Sequence, residues 1–155
     1  VPGRTGVDLQ PESVEELLDE NNVVGIKEAV NTKNRMEKLS KLLKKRKDFD
    51  LLSGDDPSFV EFGKYGAVGI ISVAANIVPE VIKQISDLIQ EKNFEKAASI
   101  SEKYEKLFNI LLENSPGPSK YLLAKIKMLE NNLRLPLVRI PEKLEKKIDE
   151  IYSNT

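Results

Sequence analysis

The sequence predicts an α/β chain in two parts: parallel β-strands alternating with helices up to about residue 78, then helices alone. Three observations predict this. Short apolar, β-branched runs recur at residues 23–29 (VVGIKEA), 49–54 (FDLLSG) and 68–73 (VGIISV), and are more continuous than the strict alternation of a half-exposed strand. Between them lie stretches whose apolar residues repeat at helical spacing, and such alternation implies parallel βαβ units with helices covering the sheet. After residue 78 no further strand-like run occurs.

Taken in order, residues 11–21 read as a helix, with Pro11 in the first turn and Val14, Leu17 and Leu18 on one side; Asn22 ends it. The first strand, 23–29, leads to a helix at 33–47 with Met36, Leu39, Leu42 and Leu43 on one face. The second strand, 49–54, is followed by the turn Asp55-Asp56-Pro57 and a short helix carrying Phe59, Val60 and Phe62. The third strand is 68–73. Helices follow at 79–91, 94–113, about 119–131 and 141–153, with Asn93 and Ser115-Pro116-Gly117-Pro118 as breaks. The expected organisation is residues 1–78 as one part and 79–155 as the other.

Composition removes several function classes. The chain has 24 Lys plus Arg against 25 Asp plus Glu, a formal charge of −1, so it lacks the basic field that nucleic-acid binding uses. It contains no cysteine and no histidine, which excludes disulfides, thiol nucleophiles, imidazole or thiolate metal sites and histidine-based triads. Chemistry would run on Lys, Tyr, Arg, Ser, Thr or carboxylates, with no cofactor and no metal expected. No apolar run approaches the roughly 18 to 20 residues of a membrane span, and the expectation is a soluble, cytoplasmic protein with no membrane partner. Val1-Pro2-Gly3-Arg4-Thr5-Gly6 reads as a loop already in progress, and an upstream segment is expected.

Lys27 is the residue with chemical promise, because it interrupts an apolar strand. With a period of two, Val23, Gly25 and Lys27 share one face and Val24 and Ile26 the other. If the latter pack on helices, Lys27 points to the opposite side, the interior of a closed barrel, where desolvation favours the neutral, nucleophilic amine that imine formation needs. The alternative is an ordinary surface lysine at the solvated end of a short strand. Asp55 and Asp56 read as an N-cap pair for the next helix rather than as metal ligands.

Four motifs occur in order: Val1-Pro2-Gly3-Arg4-Thr5-Gly6, Gly25-Ile26-Lys27-Glu28-Ala29, Leu52-Ser53-Gly54-Asp55-Asp56, and Gly69-Ile70-Ile71-Ser72-Val73 with Ala75-Asn76. Together with Leu133-Arg134-Leu135-Pro136-Leu137 they resemble the second half of the dihydrodipicolinate synthase and N-acetylneuraminate lyase family. The resemblance implies the C-terminal part of a (β/α)8 TIM barrel, about three parallel strands with their helices, plus a C-terminal helical extension. It implies Lys27 as the Schiff-base residue for pyruvate, Arg4 as the group that holds the carboxylate of aspartate semialdehyde, and Gly54 and Ile71 as lining of the pyruvate end. Lysine and diaminopimelate biosynthesis would be the setting.

The Arg-Thr-Gly form of the first loop and Gly-Ile-Lys-Glu-Ala look more like the synthase than the sialic-acid lyases, and Arg4 could equally be a frayed terminal arginine. The family usually shows Asn-Pro-Ile-Pro-Val-Lys where this chain has Asn114-Ser115-Pro116-Gly117-Pro118-Ser119-Lys120. What precedes the fifth barrel strand in the family, including a carboxylate-binding loop and relay tyrosines, is not in the sequence. The expectation is therefore a piece inactive alone, completed by a homo-oligomer or by a missing N-terminal half. The alternatives are another pyruvate-dependent aldolase (sialic-acid or 2-keto-3-deoxy sugar acid lyase) and a non-catalytic module using the basic helix at 33–47.

Overall fold

The computed structural model describes residues 1–155. Its elements are α1 (Pro2–Thr5), α2 (Pro11–Glu16), β1 (Gly25–Glu28), α3 (Lys33–Lys45), β2 (Asp50–Ser53), α4 (Phe59–Lys64), β3 (Gly69–Ile70), α5 (Pro79–Gln90), α6 (Phe94–Leu112), α7 (Gly117–Lys125) and α8 (Glu142–Ser153). One-turn 3-10 segments lie at Leu17–Asp19 and Ala74–Asn76. The strands form a single parallel sheet in the order β1-β2-β3. Lys27 pairs with Leu52, and Leu52 with Gly69.

The helices form where apolar spacing meets a favourable start. Pro occupies the first turn of α1, α2, α5 and α7, where its missing N–H costs no intrahelical bond. The side chain of Asn93 caps α6 by accepting from the N–H of Lys96 at 3.3 Å. Lys92 adopts φ 60°, the left-handed turn that carries the chain from α5 into α6.

Two hydrophobic clusters hold the fold. One joins Val14, Met36, Leu39, Leu42, Phe49 and Leu51 with Phe62 and Ala67, and packs α2 and α3 on one face of the sheet. The other gathers the apolar faces of α5, α6, α7 and α8 around Leu107, Phe108 and Leu111, and takes in Phe59, Val60, Ala74 and Ile77. The expected division at residue 78 therefore does not coincide with the division of the core. The core divides across α4, whose Phe59 and Phe62 enter different clusters. A Cβ on Gly63 would lie 2.5 Å from Cγ2 of Ile89, so the absence of a side chain there lets α4 and α5 approach.

Several elements differ from expectation: residues 2–5, read as part of a loop, form the one-turn α1, and the helix expected at 11–21 is α-helical only to Glu16. The third strand spans only two residues, and the helix expected at 119–131 begins earlier and ends at Lys125. No helix is long and apolar enough to cross a membrane.

Candidate functional site

Register places three of the predicted site residues side by side. The ladder continues past the strand ends: the Gly54 N–H donates to the carbonyl of Glu28 and the Ile71 N–H to that of Ser53, both at 2.8 Å. Residues level in a parallel ladder face the same way, so Lys27 and Leu52 share a face with Gly54 and Ile71 one step beyond them. All lie at the C-terminal ends of their strands, where the active sites of α/β barrels are built. Ile26, Leu51 and Ile70 point the other way, toward the helices.

The two faces differ sharply. Leu51 is 0% and Glu28 1% exposed, whereas Ile71 is 52% exposed and Lys27 is exposed. Of the two residues expected to pack opposite Lys27, Ile26 does so; Val24 is 64% exposed because it precedes the strand. The ammonium of Lys27 stands in solvent rather than in a desolvated interior. The closed interior that would desolvate it is not formed within the chain, as three strands do not close a barrel and nothing in the chain covers that side of the lysine. The lysine stem runs over Gly54, where an added Cβ would lie 2.5 Å from its Cε and 3.2 Å from its Cγ.

Arg4 lies elsewhere. It belongs to α1 and lines an open cleft of about 510 Å³ with Asn114, Ser115 and residues 136–141. Lys27 is not among the walls of that cleft. The guanidinium of Arg4 makes no hydrogen bond or ion pair within the chain.

The two aspartates after Gly54 are not the N-cap pair the sequence suggested: the residue that caps α4 is Ser58, and each aspartate is bonded elsewhere. Asp55 accepts from the Ser58 N–H at 3.2 Å and from its hydroxyl at 2.6 Å, which closes the turn that precedes α4. Asp56, 1% exposed, accepts from the Ser72 hydroxyl and from the N–H groups of Val73 (3.0 Å) and Ala74 (3.1 Å), tying the end of β2 to the turn after β3. Burial pushes the Asp56 carboxyl above the usual aspartate range despite those bonds.

A polar cluster that the sequence reading did not single out lies behind Lys27. The Glu28 carboxylate, the Arg35 guanidinium and the Asp8 carboxylate form a chain of hydrogen-bonded charges. A signal existed in the sequence: Arg35 stands four residues before Leu39, on the apolar side of α3. The basic face of the same helix is partly neutralised, because Lys38 pairs with Glu12 at 2.8 Å and Lys45 pairs with Glu15.

The four tyrosines are on the helical side. Tyr104, Tyr121 and Tyr152 pack on the larger cluster and Tyr65 on the smaller. Tyr121 donates to Asp149 at 3.0 Å, and burial together with that acceptor raises its phenol to about 12.

The family model described as "Dihydrodipicolinate synthetase family" matches residues 1–155. The chain is 42% identical over 142 residues to a 4-hydroxy-tetrahydrodipicolinate synthase of Buchnera aphidicola subsp. Schizaphis graminum, covering 90% of this chain and 48% of that protein. It superposes on the dihydrodipicolinate synthase of Thermotoga maritima with a TM-score of 0.93 and 33% identity, covering 99% of this chain and 53% of the other. A chloride-inhibited dihydrodipicolinate synthase from Acinetobacter baumannii, solved in complex with pyruvate, superposes with a TM-score of 0.90 and 32% identity, again over 99% and 53%. The chain spans about half the length of the relatives it matches. Its three strands and their helices are thus part of a (β/α)8 barrel.

Proposed function

Because the chain belongs to the dihydrodipicolinate synthetase family, we propose that the sheet face bearing Lys27, Gly54 and Ile71 is the ketone end of a Schiff-base site that condenses pyruvate with aspartate semialdehyde. The observation that carries the reading is the placement of these three residues at the ends of adjacent strands on one face, with the lysine stem laid across a glycine.

The Lys27 amine attacks C2 of pyruvate and water leaves, giving an imine. Loss of a proton from C3 gives the enamine, whose carbon bonds to the aldehyde of the second substrate. Gly54 leaves room for the Lys27 stem that carries the amine to the small ketone, and Ile71 supplies an apolar wall. Arg4 offers a planar, two-pronged donor suited to the carboxylate of aspartate semialdehyde; it lines the cleft beside residues 136–141 rather than the Lys27 face, so in this reading the completed assembly brings the two together.

The chain supplies the nucleophile without a general acid or base beside it, since its tyrosines pack on the far side of the sheet. In this reading those groups, and the cover that would dry Lys27, come from outside these 155 residues, either a partner chain or further polypeptide. Covering would exclude water and raise the fraction of neutral amine. An oligomer in the cytoplasm is the proposed working state.

Incubation with pyruvate and borohydride followed by intact mass measurement tests the assignment. A reduced pyruvate adduct that is lost in Lys27→Ala supports it. An adduct that persists in Lys27→Ala, or none in a folded sample completed by its partner, overturns it.

A further inference from the structure

Lys27 and Glu28 are neighbours whose side chains leave opposite faces of the sheet. The Glu28 carboxylate is fully partnered: Oε1 accepts from the N–H groups of Ala29 and Val30, both at 2.8 Å, and Oε2 accepts from Nε of Arg35 at 2.6 Å. Arg35 is 7% exposed. Its two terminal nitrogens each donate to one oxygen of Asp8 at 3.2 Å, and one of them also donates to the carbonyl of Leu9 at 2.5 Å.

Buried ion networks are poor stabilisers, because desolvation of the charges offsets much of their attraction, and well-packed apolar replacements often do as well. What such a network provides is geometry. One end fixes the amides of Ala29 and Val30, directly after β1 stops at Glu28. The other end grips Asp8, four residues beyond Arg4. The guanidinium therefore links the segment that presents the amine to the chain around Asp8 and Leu9, and its rigid planar fork suits a bridge between two carboxylates.

We propose that Arg35 and Glu28 are positioning residues of the imine site, clamping the end of β1 to the 7–10 segment so that the amine of Lys27 is held in a fixed direction. The proposal rests on the reading of Lys27 as the imine-forming residue. Neither Arg35 nor Glu28 touches the reacting atoms; both act through the backbone that carries Lys27.

The test compares the wild-type chain with Arg35→Met, Arg35→Lys and Asp8→Asn by two readouts. The first is the rate of borohydride-trapped adduct formation against pyruvate concentration. The second is competitive labelling of Lys27 by acetic anhydride across pH, with Lys64 as the internal reference. Arg35→Met is expected to lower the maximal trapping rate by on the order of tenfold with little change in the half-saturating concentration, the signature of a misdirected nucleophile. Its Lys27 labelling profile shifts while that of Lys64 does not. Arg35→Lys restores the rate only in part, because a single ammonium cannot span both carboxylates.

Trapping curves and labelling profiles that superimpose on wild type in a folded Arg35→Met overturn the proposal. Should that variant fail to fold, Asp8→Asn decides by the same criteria, since the Asp8 side chain is 33% exposed and its change buries no unpaired charge. If the wild type completed by its partner is labelled but never trapped, the imine reading fails while the labelling arm still decides the clamp: a shifted Lys27 profile supports it and an unshifted one overturns it.

Discussion

A Cβ added to Gly54 would stand 2.5 Å from Cε of Lys27 and 3.3 Å from Cβ of Ala29, so the lysine stem occupies the space that any other residue at position 54 would fill. Gly54→Ala is therefore expected to push Lys27 aside. The stem is flexible and exposed, so the loss of stability should stay below about 1 kcal/mol. Pyruvate trapping at Lys27 should fall by about tenfold or more, because small displacements of a nucleophile are costly to rate. Unchanged trapping together with an unchanged melting temperature would remove Gly54 from the site.

Asp56 offers a pH test of the loop that follows β2. Burial holds its folded-state value above the ordinary aspartate range, outweighing its three hydrogen bonds. A folded value above the unfolded one means that the associated stability is complete below the unfolded value, near 3.9, and is lost as pH rises through the folded value. Asp56→Asn removes that titration. The wild type should gain stability relative to Asp56→Asn as pH falls from 7 toward 4, read from denaturant unfolding at each pH. A gap that moves the opposite way would mean that the bonds from Ser72, Val73 and Ala74 dominate burial.

Tyr121 gives the alkaline counterpart. Its phenol is raised to about 12, first by burial and then by its bond to Asp149. Because the folded value exceeds the unfolded one, near 10, the stability linked to Tyr121 is intact below pH 10 and lost between 10 and about 12. Across that window the wild type should lose stability faster than Tyr121→Phe. Parallel pH profiles for the two proteins would contradict the coupling of α7 to α8 through this bond.

What was legible in the sequence follows from which interactions are local. Period two put Lys27 opposite Ile26, and helical spacing located α5 and α6 to within a residue at either end. The third strand stops at Ile70 because Ser72 and the N–H groups of Val73 and Ala74 turn to the Asp56 carboxylate. That pull comes from a residue sixteen or more positions earlier, which periodicity does not register. The helix expected at 119–131 stops at Lys125 because Lys127 takes φ 62°, a left-handed turn that no glycine announced. The solvent around Lys27 was legible too: a strand pattern states which face a side chain takes, and three strands are too few to close a barrel over it. Arg35 showed itself only by its place on the apolar side of α3; its partners, Asp8 and Glu28, lie on two other segments and left no pattern to read.

The placement of Phe59 and Phe62 on α4 leads to the last prediction. They are 1% and 0% exposed, three residues apart, and enter different clusters. Either truncation to alanine should cost about 3 to 5 kcal/mol, the range for a fully buried phenylalanine. If α4 makes one cooperative unit of the two clusters, each variant should unfold in a single transition. That transition should coincide when followed by helix content and by the environment of Tyr104, which packs on the larger cluster. Destabilising the sheet side through Phe62→Ala should then lower the melting of the helical side by the same amount as Phe59→Ala does. Two separate transitions, with Phe62→Ala leaving the Tyr104 transition in place, would instead mean that the sheet and the helical extension fold independently and that α4 is only their covalent link.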